Sequence, residues 1–369
     1  MGSVALNVKP SRWKNDVPQS TETLPDRIVS TAYSFRQSKV LFVAAELDVF
    51  GILAEGPLDL ETLKARSGVH PRGARDFFDA LVALGLLDRD SKGRYANTPE
   101  SDCYLVRGKP TYIGGLLRHL DKRHYENWDR LCRALITGES QSALGTKDYS
   151  EFYADERTQQ IFLEGMSASS LIAARSLAAQ FPWSRYRTFI DIGTAQGCVP
   201  VEIARAHPHL RGGGFDLPEI GPAFTSYVAS QQLSDRLTFY PGDFFTDPLP
   251  QADVLIMGRI LHNWGVSSRV ALVEKAYQAL TPGGALIVYD PLIDDTRREP
   301  AGLLSSLNML IETPNGSEYA AADCRGWMAN AGFSERRVMP LGDVHAAVIG
   351  KRLRAEHITE PLKKKSRGA

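Results

Sequence analysis

From residue 187 to 351 the chain alternates short apolar runs with stretches of helical spacing. The runs fall at 188–192, 213–217, 237–240, 252–257, 284–289, 335–339 and 346–350, with helical segments between them at 199–206, 222–231, 267–280 and 321–331. Short continuous apolar runs fit strands buried on both faces. Their alternation with helices predicts an α/β domain, a parallel sheet with helices on both sides. The first hundred residues follow a different rule. Residues 27–47 carry Ile28, Tyr33, Val40, Leu41, Val43 and Ala44 at helical spacing, 58–63 starts a short helix, and a second helix runs from Pro71 through Phe78 and Leu81. Two short strands around a turn follow at 86–95, giving the layout of a winged helix. Between the two regions, 111–180 is helical and mixed: Trp128, Leu131, Phe152, Tyr153, Ile161 and Phe162 recur among polar residues, punctuated by Gly138, Gly145 and Pro182. No internal repeat is found.

The expected organisation is a loose leader at 1–22, a winged-helix module at 23–110, a helical linker and pocket region at 111–182, a Rossmann-like domain at 183–352 and a basic tail at 353–369. A chain of 369 residues suits two domains.

Composition narrows the function. Lys plus Arg and Asp plus Glu are each 43, so the formal net charge is zero and neither a nucleic acid nor a membrane is an expected partner. The local run Lys363-Lys364-Lys365-Ser366-Arg367 reads as a solvated tail. DNA binding by the winged helix would need a basic recognition helix. Arg72 and Arg75 are offset by Asp76 and Asp79, so the module is read as a dimerisation unit. Cys103, Cys132, Cys198 and Cys324 form no CxxC pair, which points away from a zinc site or a disulfide framework and towards a reducing cytoplasm. Residues 1–22 carry no apolar core of signal-peptide length, and no apolar run approaches the ~20 residues that span a bilayer.

Candidate chemistry sits at the strand ends. The first strand runs into Phe189-Ile190-Asp191-Ile192-Gly193-Thr194-Ala195-Gln196-Gly197, a glycine-containing turn before a helix. In such a fold ligands bind where loops leave the carboxyl ends of the strands, and glycine lets backbone approach them closely. A nucleotide-phosphate loop is the rival reading, but there is no Gly-Lys-Ser/Thr and Asp191 would repel a pyrophosphate. The second strand ends in Phe215-Asp216-Leu217-Pro218, where a carboxylate can accept hydrogen bonds from both ribose hydroxyls of a nucleoside. The third ends in Gly242-Asp243-Phe244-Phe245, where Asp243 can accept from an adenine amino group and Phe244 can cover the ring. Each aspartate alone could be a turn or cap residue. Three acidic tips at successive strand ends favour a nucleoside site.

With these residues in hand, the chain resembles the class I S-adenosylmethionine-dependent methyltransferases. It is more closely similar to the small-molecule O-methyltransferases that include caffeate- and chalcone-type enzymes, acetylserotonin methyltransferase and bacterial antibiotic-tailoring enzymes of secondary metabolism. Phe189–Gly197, with Ala195 in place of a middle glycine, Phe215–Pro218, Gly242–Phe245, Gly258–Trp264 and Thr281–Asp290 carry the match, which covers roughly 25–352. The resemblance implies a homodimer and an S-adenosyl-L-methionine site built from Asp191, Gly193, Gly197, Asp216, Leu217, Asp243, Phe244 and Arg259, with Ser170 near the methionine end. It also implies that Phe162 and Met166 line the substrate and methyl-donor pocket, for which Trp128 and Met309 are further candidates. Read from spacing alone, Phe162 and Met166 are i and i+4 on one helix face, which ordinary core packing also explains.

Methyl transfer is an in-line displacement on a sulfonium carbon, so the protein supplies alignment and a nucleophile. A phenol, with a pKa near ~10, needs a base at neutral pH, and histidine suits that task. His262, in Gly258-Arg259-Ile260-Leu261-His262-Asn263-Trp264, lies just past the fourth strand and coincides with the family's catalytic histidine. Asp290, at the end of the fifth strand, matches a family carboxylate and could fix the tautomer of the imidazole, and Glu318 matches a second one. His70, His119, His124, His207, His209, His345 and His357 share no such setting, and no metal-ligand spacing is present. The expectation is a metal-independent O-methyltransferase acting on a hydroxyl of a small aromatic metabolite. The alternatives are carbon or nitrogen methylation by proximity, a winged-helix DNA-binding regulator, and a nucleotide-dependent oxidoreductase.

Overall fold

The structure, a computed structural model, describes residues 25–142, 156–342 and 345–354. The expected leader at 1–22, the tail beyond 354, and Gly145, Phe152 and Tyr153 lie outside the described residues.

Near the N-terminus the apolar stretch read as one helix is two, Asp26–Tyr33 and Phe35–Glu46, meeting at Ser34. Helices Leu60–Ser67 and Pro71–Ala83 follow, then an antiparallel hairpin of β1 (Leu87–Arg89) and β2 (Tyr95–Asn97). Pro71 occupies the first turn of its helix, where no N–H is needed. Phe50, Leu63, Phe78, Leu81 and Leu87 fill a separate small core here.

The C-terminal half is a seven-stranded sheet in the order β5-β4-β3-β6-β7-β9-β8. It comprises β3 (Thr188–Ile192), β4 (Arg211–Asp216), β5 (Leu237–Pro241), β6 (Ala252–Gly258), β7 (Leu280–Asp290), β8 (Ser334–Pro340) and β9 (Ala346–Lys351). Strands β3 to β7 are mutually parallel. Strand β9 runs antiparallel to both β7 and β8, so the sheet is mixed rather than wholly parallel as expected. The link between β8 and β9 is only residues 341–345, far short of the dozen or more residues that a parallel crossover requires.

Side chains alternate along β3 between two cores. Phe189 packs with Leu177, Trp183 and Ile287 on one face, and Ile190 with Leu255, Leu286 and Met328 on the other. The 25-residue helix Glu156–Gln180 packs against both the Gly114–His119 helix and the Cys198–Ala206 helix, joining the two halves of the molecule. Strand order reverses between β3 and β6, so loops diverge there and open a crevice above the carboxyl ends of the strands. Among the described residues no helix is long and apolar enough to cross a membrane.

Candidate active site

A cavity of about 210 Å³ occupies that crevice. Its floor comes from the tips of β3, β4 and β5. Gly193 takes φ +72°, and its N–H donates to Phe215 O at 2.8 Å, which ties the first loop to the second strand. A Cβ at Gly193 would stand 2.2 Å from Ile260 Cδ1, so both backbone geometry and space call for glycine. Ala195, in the place of the middle glycine, also has positive φ, at 51°. Asp216 holds the loops in register: Oδ2 accepts the Ala195 N–H and Oδ1 the Leu217 N–H, each at 2.8 Å. Burial pushes its pKa up to about 6, against the pull of those two donors. Asp191 is buried deeper, and burial carries it up to about 8. At the third tip Asp243 Oδ1 accepts the Phe245 N–H at 2.8 Å, which aims Phe244 at the cavity.

The other walls follow from β6, β7 and the connections beyond them. After β6, Arg259 adopts φ +57° and a single 3-10 turn, Leu261–Asn263, presents His262, which is 2% exposed. Nδ1 of His262 lies 2.8 Å from Glu318 Oε1 and 3.8 Å from Asp290 Oδ1. A carboxylate only accepts, so Nδ1 carries the proton and Nε2 is left with its lone pair. Burial works to lower the imidazole pKa, but the charges of Glu318 and Asp290 outweigh it and hold it above the ordinary histidine value. Glu318 is itself fixed: Oε1 also accepts from Ser305 Oγ at 2.7 Å, and its N–H donates to Ser306 Oγ at 3.1 Å. Asp290 was the expected partner of the imidazole. Instead it accepts the Tyr319 hydroxyl, and burial raises its pKa to about 6. The register of the loop 313–320, which sequence does not fix, decides between the two carboxylates.

Most of the expected residues converge. Ser170, Asp191, Gly193, Asp216, Leu217, Asp243, Phe244, Arg259, His262, Phe162, Met166 and Met309 all line the cavity. Two do not. Gly197, at φ +95°, starts the Cys198–Ala206 helix and faces Phe224, whose ring a Cβ there would meet at 2.8 Å. Trp128 lines an adjoining wider groove of about 810 Å³, its Nε1 donating to Asn308 Oδ1 at 3.0 Å. Asp290 and Glu318 stand behind the wall, reaching the cavity through His262.

The structure also adds residues. His119, Arg123, His124, Asn308 and Glu312 line the cavity, although the histidines among them were expected to have no special setting. His119 and His124 are five apart, and on an α-helix such residues point about 140° away from each other. Leu120–His124 is a π turn, and the two rings come within 4.8 Å. No sequence signal marks that turn. The helix Pro300–Glu312, which carries Met309 and Glu312, was likewise not read from the pattern.

The cavity suits the methyl donor implied by the resemblance. Arg259 lines it, and Arg259 Nε is buried without a hydrogen-bond partner. Among the described residues Arg259 makes no ion pair. A cation so placed fits the carboxylate of a methionine moiety, while the glycine turn and the Asp216 and Asp243 carboxylates fit a nucleoside.

Comparison with known proteins agrees. Residues 128–334 match the O-methyltransferase domain family, and residues 29–107 match the O-methyltransferase dimerisation domain. The tetracenomycin polyketide synthesis 8-O-methyl transferase of Streptomyces glaucescens is 45% identical over 331 residues, 89% of this chain and 97% of that protein. An N,N-dimethyltransferase of Streptomyces rimosus is 39% identical over 84% of this chain and 90% of its own length. Among solved structures, human N-acetylserotonin methyltransferase in complex with S-adenosylmethionine superposes with a TM-score of 0.81 at 29% identity, covering 90% of this chain and 99% of that one.

Proposed function

The chain belongs to the S-adenosyl-L-methionine-dependent O-methyltransferases, and from that premise we propose that it methylates a phenolic hydroxyl of an aromatic, polyketide-type small molecule, with His262 as general base. One observation carries this reading: a buried imidazole lines the cavity with Nδ1 committed to Glu318, so that Nε2 is the basic nitrogen.

When bound, S-adenosyl-L-methionine supplies an activated methyl group on a sulfonium centre. The chain's own residues do the rest. Asp216 and Asp243 would orient the nucleoside by accepting hydrogen bonds from its hydroxyl and amino groups, Phe244 would cover the base, and Ser170 and Arg259 would hold the amino acid end. Phe162, Met166 and Met309 give the acceptor an apolar slot. Alignment of two reactants can supply up to ~7–11 kcal/mol of a barrier. His262 Nε2 takes the phenol proton, a step worth roughly 10²–10⁴-fold, and Glu318 holds the resulting imidazolium. A polyketide-type acceptor is taken from the tetracenomycin relative. The dimerisation domain supports a homodimer.

Replacing His262 by Ala tests the reading. The variant should bind S-adenosylhomocysteine as the parent does, measured by calorimetry, while turnover of an accepted phenol falls by roughly 10²–10⁴-fold. Undiminished turnover would remove His262 from the chemistry and favour transfer to nitrogen or carbon by proximity; the relative named as an N,N-dimethyltransferase gives that reading its support.

A further inference from the structure

The wall of the cavity formed by the π turn Leu120–His124 holds polar groups that methyl transfer to a simple phenol leaves unused. His119 is 3% exposed and His124 half-buried, and both line the cavity. Among the described residues neither imidazole makes a hydrogen bond; their contacts are ring to ring, His119 with His124 at 4.8 Å and with Phe162 at 5.9 Å. Both rings face the cavity with their hydrogen-bonding capacity unspent on the protein, so a group held in the cavity can be the partner. The site is also built to hold it. The long helix carries Gly165 against His119, where a Cβ would come within 2.7 Å of His119 Cβ.

The two charges on this wall, Arg123 and Glu312, satisfy each other, and Arg259 is the cation assigned to the methionine end. Arg123 donates to Glu312 Oε2 through Nε at 2.9 Å and Nη2 at 2.6 Å, and Asn127 donates to Glu312 Oε1 at 2.9 Å. Glu312 is 4% exposed. A guanidinium committed to a buried carboxylate is not available to a second anion. Burial keeps the two imidazoles neutral, with His124 lowered to about 4 and His119 to about 2. This wall therefore offers uncharged donors and acceptors around a closed ion pair.

We propose that His119 and His124 recognise a second oxygen function of the acceptor, so that the preferred substrates are uncharged aromatics carrying a further hydroxyl or carbonyl away from the methylated hydroxyl. The inference rests on the O-methyltransferase reading and names the acceptor class of that same site. A neutral imidazole can donate to a carbonyl or accept from a hydroxyl, so either group satisfies it. A carboxylate at this position would face Glu312 with Arg123 already occupied.

The test is calorimetric binding to the full chain saturated with S-adenosylhomocysteine, which needs no turnover. The probes are 1-naphthol, the 1,3-, 1,5-, 1,6- and 1,7-dihydroxynaphthalenes, and 5-hydroxy-1-naphthoic acid. One or more diols should bind about tenfold more tightly than 1-naphthol, the effect of a hydrogen bond to a desolvated partner. The naphthoic acid should gain nothing. His124→Phe should erase the diol preference with 1-naphthol affinity kept, and His124→Gln, which retains hydrogen-bonding capacity, should keep most of it. His124 is the substituted position because His119 is packed against Gly165. Diols that bind no better than 1-naphthol overturn the proposal, as does a preference that survives His124→Phe or a preference for the naphthoic acid. Those outcomes leave methyl transfer untouched. Diol binding without any methyl transfer from S-adenosylmethionine would instead overturn the O-methyltransferase reading and spare this one.

Discussion

Glu318 Oε1 lies 2.8 Å from His262 Nδ1, and the same oxygen accepts from Ser305. The carboxylate cannot rotate away without losing both bonds. It therefore fixes the tautomer of the histidine and raises its affinity for a proton together.

Removing that charge should move the pH dependence in a definite direction. The base must be neutral to work, so activity falls on the acid side as His262 protonates. Glu318 and Asp290 hold the imidazole pKa above its ordinary value, against burial. Glu318→Gln keeps an acceptor for Nδ1–H but loses the charge. The acid limb of kcat/KM should shift to lower pH, with a drop of about tenfold at the plateau for exchanging a charged hydrogen bond for a neutral one. Asp290→Asn, at 3.8 Å and committed to Tyr319, should shift the limb less. A limb that stays put in Glu318→Gln removes that carboxylate from the proton chemistry.

The turn after β3 gives a second expectation. Gly193→Ala carries two costs: φ +72°, and a Cβ only 2.2 Å from Ile260 Cδ1. Gly68 ends the Leu60–Ser67 helix at φ +71° with open space around it, so Gly68→Ala carries the backbone cost alone, about 1 kcal/mol. Gly193→Ala should weaken S-adenosylhomocysteine binding at least tenfold, while Gly68→Ala lowers the melting temperature with unchanged affinity. Equal affinities in the two variants would dissociate the turn from cofactor binding.

How far these features can be read from sequence depends on the range of interaction that sets them. Strands β3, β6 and β7 show as apolar runs because burial on both faces leaves little choice of residue, and the aspartates at the strand tips are placed by the strands themselves. The partner of His262 is not legible in this way. Both Asp290 and Glu318 lie within reach, and the path of the loop 313–320 selects Glu318. The direction of β9 was hidden because a strand buried between two others carries the same apolar run whichever way it points. His119 and His124 were hidden because five-residue spacing is silent unless a π turn brings the rings onto one face.

The N-terminal helices expose apolar side chains that a lone chain would leave in water. Ile28 is 73% exposed and Tyr33 50%, with Val29 and Phe35 beside them. Burying an aliphatic or aromatic side chain fully contributes roughly 1.5–3 kcal/mol, and this stretch opens the region that matches the dimerisation domain. The double substitution Ile28→Asp and Val29→Asp should convert a homodimer into a monomer, read by light scattering at micromolar concentration. A dimer that persists would place the interface elsewhere.

Asp191 links the cofactor site to stability. Burial raises its carboxyl from 3.8 to about 8, with the Thr194 hydroxyl opposing and the Asp216 charge adding to the rise. A group whose folded-state pKa is raised contributes its stability fully below the unfolded value, and that contribution is lost as pH climbs towards the folded one. The ligand-free protein should therefore lose stability through this residue between about pH 4 and pH 8. Asp191→Asn is neutral throughout and escapes the loss. Asp290 titrates in both proteins, so its effect cancels in the difference, while Asp216 loses a like-charged neighbour in Asp191→Asn and adds to the difference in the same direction. The melting temperature of Asp191→Asn relative to the parent should rise from pH 5.5 to pH 8.5, by roughly 2–4 °C for each kcal/mol. Parallel melting curves across that range would mean that Asp191 ionises as an ordinary carboxylate, and that the tip of β3 is wetter than its burial implies.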